Sequence, residues 1–150
     1  MMELQRASAG DRQRIEDFQQ AAYARTEAIV GARAIPLEWD YGKVLQECEV
    51  WLDESGGSLR GVLILRIRQD HLFLESIAIA PEAAGSGRAR LLMEATFERA
   101  RELELNLVAL ITNSLNPALA WYKRMGFMVD LEDEQPQRTV IHMSMPVPDA

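Results

Sequence analysis

The stretch "LFLESIAIAPEAAGSGRARLLMEATFERARELELNLVALIT", residues 72–112, constrains the fold most. It reads as strand, glycine turn, helix, strand. Residues 72–80 alternate towards an apolar strand, and Pro81 ends its ladder. Ala89, Leu92, Met93, Thr96, Ala100 and Leu103 then recur at close to helical spacing. Residues 105–112 form a near-continuous apolar run, the pattern of a strand covered on both faces. A strand, a crossover helix and a second strand imply one parallel pair, which commits the chain to an α/β sheet.

The elements on either side are consistent with that sheet. Residues 2–7 predict a short first strand. Ser8 and Asp11 are spaced as a capping box for a helix that runs to about Val30, with Gly31 as its stop. A second helix is expected over Leu37–Gln46. Residues 48–53, 59–68 and 72–80 read as three antiparallel strands, the first two joined by the "ESGG" turn. Residues 116–125 predict a short helix. Residues 127–131 and 138–147 predict a closing strand pair. The expected fold is therefore α/β (α+β), a mixed and mostly antiparallel sheet of about seven strands with four helices. No repeat or Pro/Gly-rich linker marks a boundary, so residues 1–150 are expected to form one domain.

The bulk properties narrow the function. The chain has 150 residues and a net charge of -7, which disfavours nucleic-acid partners. No apolar run approaches the roughly 20 residues that span a bilayer, and the first residues lack a signal-peptide core. Cys48 is the only cysteine, so no internal disulfide is available. These features predict a soluble, cytoplasmic protein. No Cys/His group has metal-ligand spacing, so no metal is expected.

The glycine turn suggests a phosphate cradle. Gly85 and Gly87 stand just before a helix whose first N–H groups lack internal partners and lie at the positive end of its dipole. Arg88 and Arg90 add positive charge. No Gly-Lys-Ser/Thr follows, which argues against a triphosphate loop. A third glycine is missing at Arg90, which argues against a dinucleotide fingerprint. A plain tight connection remains the alternative.

A second motif, "NPALAWYKRMGF", residues 116–127, shifts that balance. Together, "SIAIAPEAAGSGRARLL" and this stretch resemble the two core motifs of the GCN5-related N-acetyltransferase (GNAT) superfamily. Ala84, Gly85, Ser86, Gly87, Arg88 and Ala89 stand in the places of the first motif, and Asn116, Tyr122, Gly126 and Phe127 in those of the second. The order of elements along nearly the whole chain is also similar to that fold. There are two departures. Ala84 replaces the family's usual Gln or Arg, and the Asn-to-Tyr interval is one residue shorter than in many members.

The resemblance implies acetyl-CoA as donor and a small-molecule primary amine as acceptor, with direct transfer in a ternary complex. The pyrophosphate would sit on the amides of Gly85, Ser86, Gly87, Arg88 and Ala89. The pantetheine arm would run beside Ile77, Ala78 and Ile79, with Asn116 either bonding it or simply capping its helix. Tyr122 would donate a proton to the departing thiolate. Members often carry a Glu on the fifth strand, and "LVALIT" has none. Glu75 is the carboxylate of the preceding apolar strand, expected on the face of Ile77 and Ile79. It is either the catalytic base or half of a cross-strand pair with Arg66 or Arg68. Tyr23, Trp39 and Tyr41 would line the acceptor pocket or belong to the core. Association through the C-terminal strands is common in the family, so a homodimer is expected. The other reading is a non-catalytic acyl-CoA-binding module on the same fold, which Ala84 and the absent fifth-strand Glu keep open.

Overall fold

The structure, a computed structural model, describes residues 3–31 and 34–150. Seven strands form one sheet: β1 (Gln5–Arg6), β2 (Glu49–Ser55), β3 (Ser58–Ile67), β4 (Leu72–Ile79), β5 (Leu107–Asn113), β6 (Met128–Glu134) and β7 (Thr139–Pro146). Their order across the sheet is β1-β2-β3-β4-β5-β7-β6. Every pair is antiparallel except β4 with β5, where the crossover predicted from residues 72–112 makes a parallel pair. The helices are α1 (Arg12–Val30), α2 (Tyr41–Glu47), α3 (Arg88–Glu102) and α4 (Ala118–Met125). Among the described residues no helix is long and apolar enough to cross a membrane.

The capping box forms as expected: Ser8 N–H donates to Asp11 Oδ2 at 2.9 Å. Gly31 ends α1 in the left-handed region, at φ 77°. The second helix starts later than predicted. Ile35–Leu37 is a single 3-10 turn, and Asp40 caps α2 by accepting from the Gly42 and Lys43 amides. The first strand is shorter than predicted, and β6 runs on to Glu134 as an exposed edge strand.

The sheet separates two cores. Against α3 pack Leu63, Leu65, Leu72, Leu74, Leu92, Phe97, Val108 and Met143. Against α1 and α2 pack Ile15, Tyr41, Val44, Cys48, Val50, Leu52, Val62 and Ile64. Two buried carboxylates tie α3 to β2. Arg99 holds Glu49 through two bonds, at 2.9 and 2.6 Å. Burial alone would raise the Glu49 pKa, but the Arg99 fork, the Trp51 N–H and Arg6 together hold it below the ordinary 4.5. Arg88 binds both oxygens of Asp53, at 3.1 and 2.9 Å.

Strand β4 changes faces midway. On β3, Ile64 is opposite Ser76 and the next residue, Leu65, is opposite Leu74, so Glu75 is an extra, unpaired residue. This β-bulge exchanges inward and outward positions on its two sides. Leu72 and Leu74 below it, and Ile77 and Ile79 above it, all lie against the α3 core. Ser76 instead faces α1, bonded to Gln19 and Tyr23. The expectation that Glu75 shares a face with Ile77 and Ile79 is therefore overturned, because the bulge interrupts the period of two.

Candidate active site

Strands β4 and β5 pair only at Leu72 with Val108 and Phe73 with Ala109. Beyond these residues the strands splay, leaving a gap in the middle of the sheet. The direction of the β4 backbone there follows from one bond. Ala80 N–H donates to Arg60 O at 2.8 Å, so Ala80 and Arg60 form a hydrogen-bonded pair. Alternation in an antiparallel ladder then turns Ala78 and Ser76 to β3, and Ile77 and Ile79 to the gap. Of the three β4 residues predicted to meet a ligand, Ile77 and Ile79 offer free backbone groups. Ala78 does not, because its backbone groups belong to the β3 ladder and its side chain is buried.

The glycine turn lies at the end of β4. Gly85 and Gly87 take φ values of 78° and 84°, the left-handed region that favours glycine. A Cβ added at either would meet nothing within 4 Å, so the turn opens to solvent. The amides of Gly85, Gly87, Arg88 and Ala89 have no partner among the described residues. The Ser86 amide does, donating to Ala83 O at 3.2 Å, which removes it from the predicted cradle. The two arginines are also committed, Arg88 to Asp53 and Arg90 to Glu94 at 3.5 Å. Arg88 thus anchors the start of α3 to β2 through its side chain, and the cradle is made of backbone.

A cavity of about 310 Å³ fills the gap. It brings together Tyr23 of α1, Ile35, Pro36 and Trp39 of the segment before α2, Glu75 and Ile77 of β4, Thr112 of β5, and Asn116, Tyr122 and Arg138. The predicted residues Tyr23, Trp39, Glu75, Ile77, Asn116 and Tyr122 therefore share one wall system. Tyr41 does not. It is 2% exposed, and its hydroxyl donates to Pro36 O at 2.8 Å. Tyr41 is a core residue that holds a wall residue in place.

The polar groups of the cavity divide into engaged and free. The Tyr122 hydroxyl has no hydrogen bond to a described residue, and its ring lies edge-on to Phe127 with centroids 5.9 Å apart. Burial, with a smaller contribution from Tyr23, pushes the Tyr122 phenol above its ordinary 10. It is therefore protonated at neutral pH. The Tyr23 hydroxyl is 2.7 Å from Ser76 Oγ, and burial also raises its pKa despite that bond. Asn116 accepts from the Ala118 amide through Oδ1 at 2.8 Å, which is the helix-capping role, while its side-chain NH₂ has no described partner. Glu75 Oε2 receives Arg66 Nε–H at 2.7 Å, the cross-strand pair that was the alternative to catalysis. Thr112 Oγ1 is buried with no partner among the described residues.

Sequence reasoning missed five residues: Gln19, Asp53, Ser76, Thr112 and Arg138. Asp53 and Gln19 did carry a signal, as polar residues at core-facing positions. Asp53 lies in an apolar strand, and Gln19 is four residues after Ile15 on α1. Fully buried Gln19 donates to Tyr41 Oη at 3.1 Å and to Ser76 Oγ at 3.3 Å, linking α1, α2 and β4. Nothing in the local patterns marked Ser76, Thr112 or Arg138.

The site is thus framed by a seven-stranded mixed α/β sheet split between its parallel strands, with a glycine turn at the end of one of them. Residues 12–127 match the model of the Acetyltransferase (GNAT) family, and the chain belongs to that family. Among solved structures it is similar to a nourseothricin acetyltransferase, at 29% identity over 68% of this chain and 66% of that one, with a TM-score of 0.62. It has the fold of the Escherichia coli ribosomal-protein-S18-alanine N-acetyltransferase, at 18% identity over 100% and 96% of the two chains and a TM-score of 0.76. It also has the fold of the PaiA N-acetyltransferase of Thermoplasma acidophilum in complex with coenzyme A, at 14% identity over 95% and 98% and a TM-score of 0.77. Compared by sequence with curated proteins, the chain has no match.

Proposed function

We propose that residues 1–150 act as one domain that transfers an acetyl group from acetyl-CoA directly to the primary amine of a small molecule. The observation that carries this reading is the gap between β4 and β5. It presents free backbone groups of Ile77 and Ile79 on one side and the unengaged Tyr122 hydroxyl on the other.

The residues present fit the donor. The open left-handed glycines and the amides of Gly85, Gly87, Arg88 and Ala89 receive the pyrophosphate. The backbone of Ile77 and Ile79, the Asn116 NH₂ and the Thr112 hydroxyl are available to the pantetheine arm. When bound, acetyl-CoA supplies an activated thioester. The β4 amides facing the gap stabilise negative charge developing on the carbonyl oxygen. Tyr122, kept protonated by burial, gives its proton to the leaving sulfur. The amine attacks as the free base, and Glu75, whose Oε2 holds Arg66 while its Oε1 has no hydrogen bond among the described residues, takes the proton it sheds through Oε1. Holding amine and thioester together supplies much of the rate.

A reducing compartment suits the free, buried Cys48, and we place the protein in the cytoplasm. Met128, Val129 and Leu131 are exposed on edge strand β6, which supports a homodimer through the C-terminal strands. Calorimetric titration with acetyl-CoA, and with NAD as control, tests the donor assignment. Saturable binding of acetyl-CoA alone is expected. No heat at millimolar acetyl-CoA would overturn the reading.

A further inference from the structure

The charges on the cavity wall are unequal. Among the described residues lining it, Glu75 is the one carboxylate and Arg138 the one guanidinium. Glu75 is neutralised by Arg66 at 2.7 Å. No described carboxylate lies within ion-pair reach of Arg138, in a chain with 23 Asp and Glu against 16 Lys and Arg. Of the other guanidiniums around the site, those of Arg66, Arg88 and Arg90 have acidic partners, and Arg60, beside Ala80 at the end of β4, has none among the described residues but does not line the cavity.

The position of Arg138 is fixed by its neighbours. It closes the turn between β6 and β7, where its carbonyl accepts from Gln135 N–H at 3.0 Å. The next residue, Thr139, is held to Ser114, just past the end of β5, by two hydrogen bonds. Ser114 N–H donates to Thr139 O at 2.8 Å, and Thr139 N–H donates to Ser114 Oγ at 3.0 Å. The backbone of Arg138 is thus tied down where β7 begins, and its side chain lines the cavity. Across the cavity the walls are apolar, formed by Val30, Ile35, Pro36, Trp39 and Phe73.

We infer that Arg138 receives a carboxylate of the acceptor, and that the acceptor is a small amino acid-like molecule. Its carboxylate lies on Arg138, its amine faces the gap, and an apolar side chain lies on the Ile35–Trp39 wall. This rests on the acetyltransferase reading and names the substrate class of that site. A guanidinium fork matches a carboxylate in shape and charge. A dicationic acceptor such as a polyamine would meet an unpaired cation there. The overall charge of -7 would favour cationic ligands, but it lies elsewhere on the chain and does not describe this wall. About 310 Å³ must also hold the acyl end of the donor, which limits the acceptor's size.

The test uses the full chain and acetyl-CoA, with thiol release as readout. The common L-amino acids are compared with their carboxamides, after acetyl-CoA binding has been established by calorimetry. At least one apolar amino acid is expected to exceed its carboxamide by about tenfold or more in kcat/KM, because a site built for a charged group rejects the analogue lacking it. Arg138→Gln should raise KM for that acid about tenfold, with a smaller change in kcat, and bring the acid-to-amide ratio towards one. Arg138→Lys should retain part of the ratio. Carboxamides as good as the acids would overturn the inference. So would acid and amide losing equally in Arg138→Gln, or acetyl-CoA binding with no turnover of any amino acid. Absence of acetyl-CoA binding would instead overturn the reading beneath it.

Discussion

The two halves of the cavity are built from different material. On the side proposed for the donor most groups are backbone, the amides of Gly85, Gly87, Arg88 and Ala89 and the unpaired edge of β4, joined by the Asn116, Thr112 and Tyr122 side chains. On the side proposed for the acceptor they are side chains, Tyr23, Trp39, Glu75 and Arg138, with Tyr23 held by Ser76, itself bonded to buried Gln19. Backbone donors depend on φ and on strand register, so very different sequences can share them. Side-chain walls change with each substitution. The donor site should therefore break only when backbone geometry or its anchors change, whereas the acceptor site should respond to single side-chain edits.

Four substitutions test that division, in decreasing order of effect. Gly87→Glu should abolish acetyl-CoA binding in calorimetry, because a carboxylate would occupy the anion site and a side chain is strained at φ 84°. Asp53→Ala should come next. It leaves Arg88, 29% exposed, without the buried carboxylate that holds it and should cost about 2–3 kcal/mol in urea unfolding. It should also weaken acetyl-CoA binding, since Arg88 anchors the first turn of α3. Stability unchanged by this substitution would remove the anchor from the account.

Tyr122→Phe should lower kcat about 100-fold, the scale of one general acid, with little change in acetyl-CoA affinity. Equal rates would take Tyr122 out of the chemistry. The smallest effect belongs to Tyr41→Phe. It removes the hydroxyl that bonds Pro36 O and should cost about 1 kcal/mol of stability. It should raise KM for the acceptor while leaving acetyl-CoA affinity alone. A loss of acetyl-CoA affinity instead would mean that the two halves are coupled.

The amino-acid pattern determined what local physics controls. Apolar periodicity over residues 72–112 committed the chain to a parallel pair inside a mostly antiparallel sheet. The capping box at Ser8, the stop at Gly31 and the two left-handed glycines before α3 are short-range features, decided within a few residues. The paired motifs around Gly85 and Tyr122 carried the family likeness for the same reason. Tertiary structure decided the rest, because it depends on what each side chain meets far along the chain. Glu75 changes face through a bulge that is defined only against β3. The Arg88 side chain, expected to add charge beside a phosphate, is drawn to Asp53, 35 residues away. Tyr41, which the pattern left as pocket wall or core, is core, bonded to Gln19 and Pro36. Arg138 matters because no described carboxylate reaches it, and such an absence becomes visible only in the folded chain.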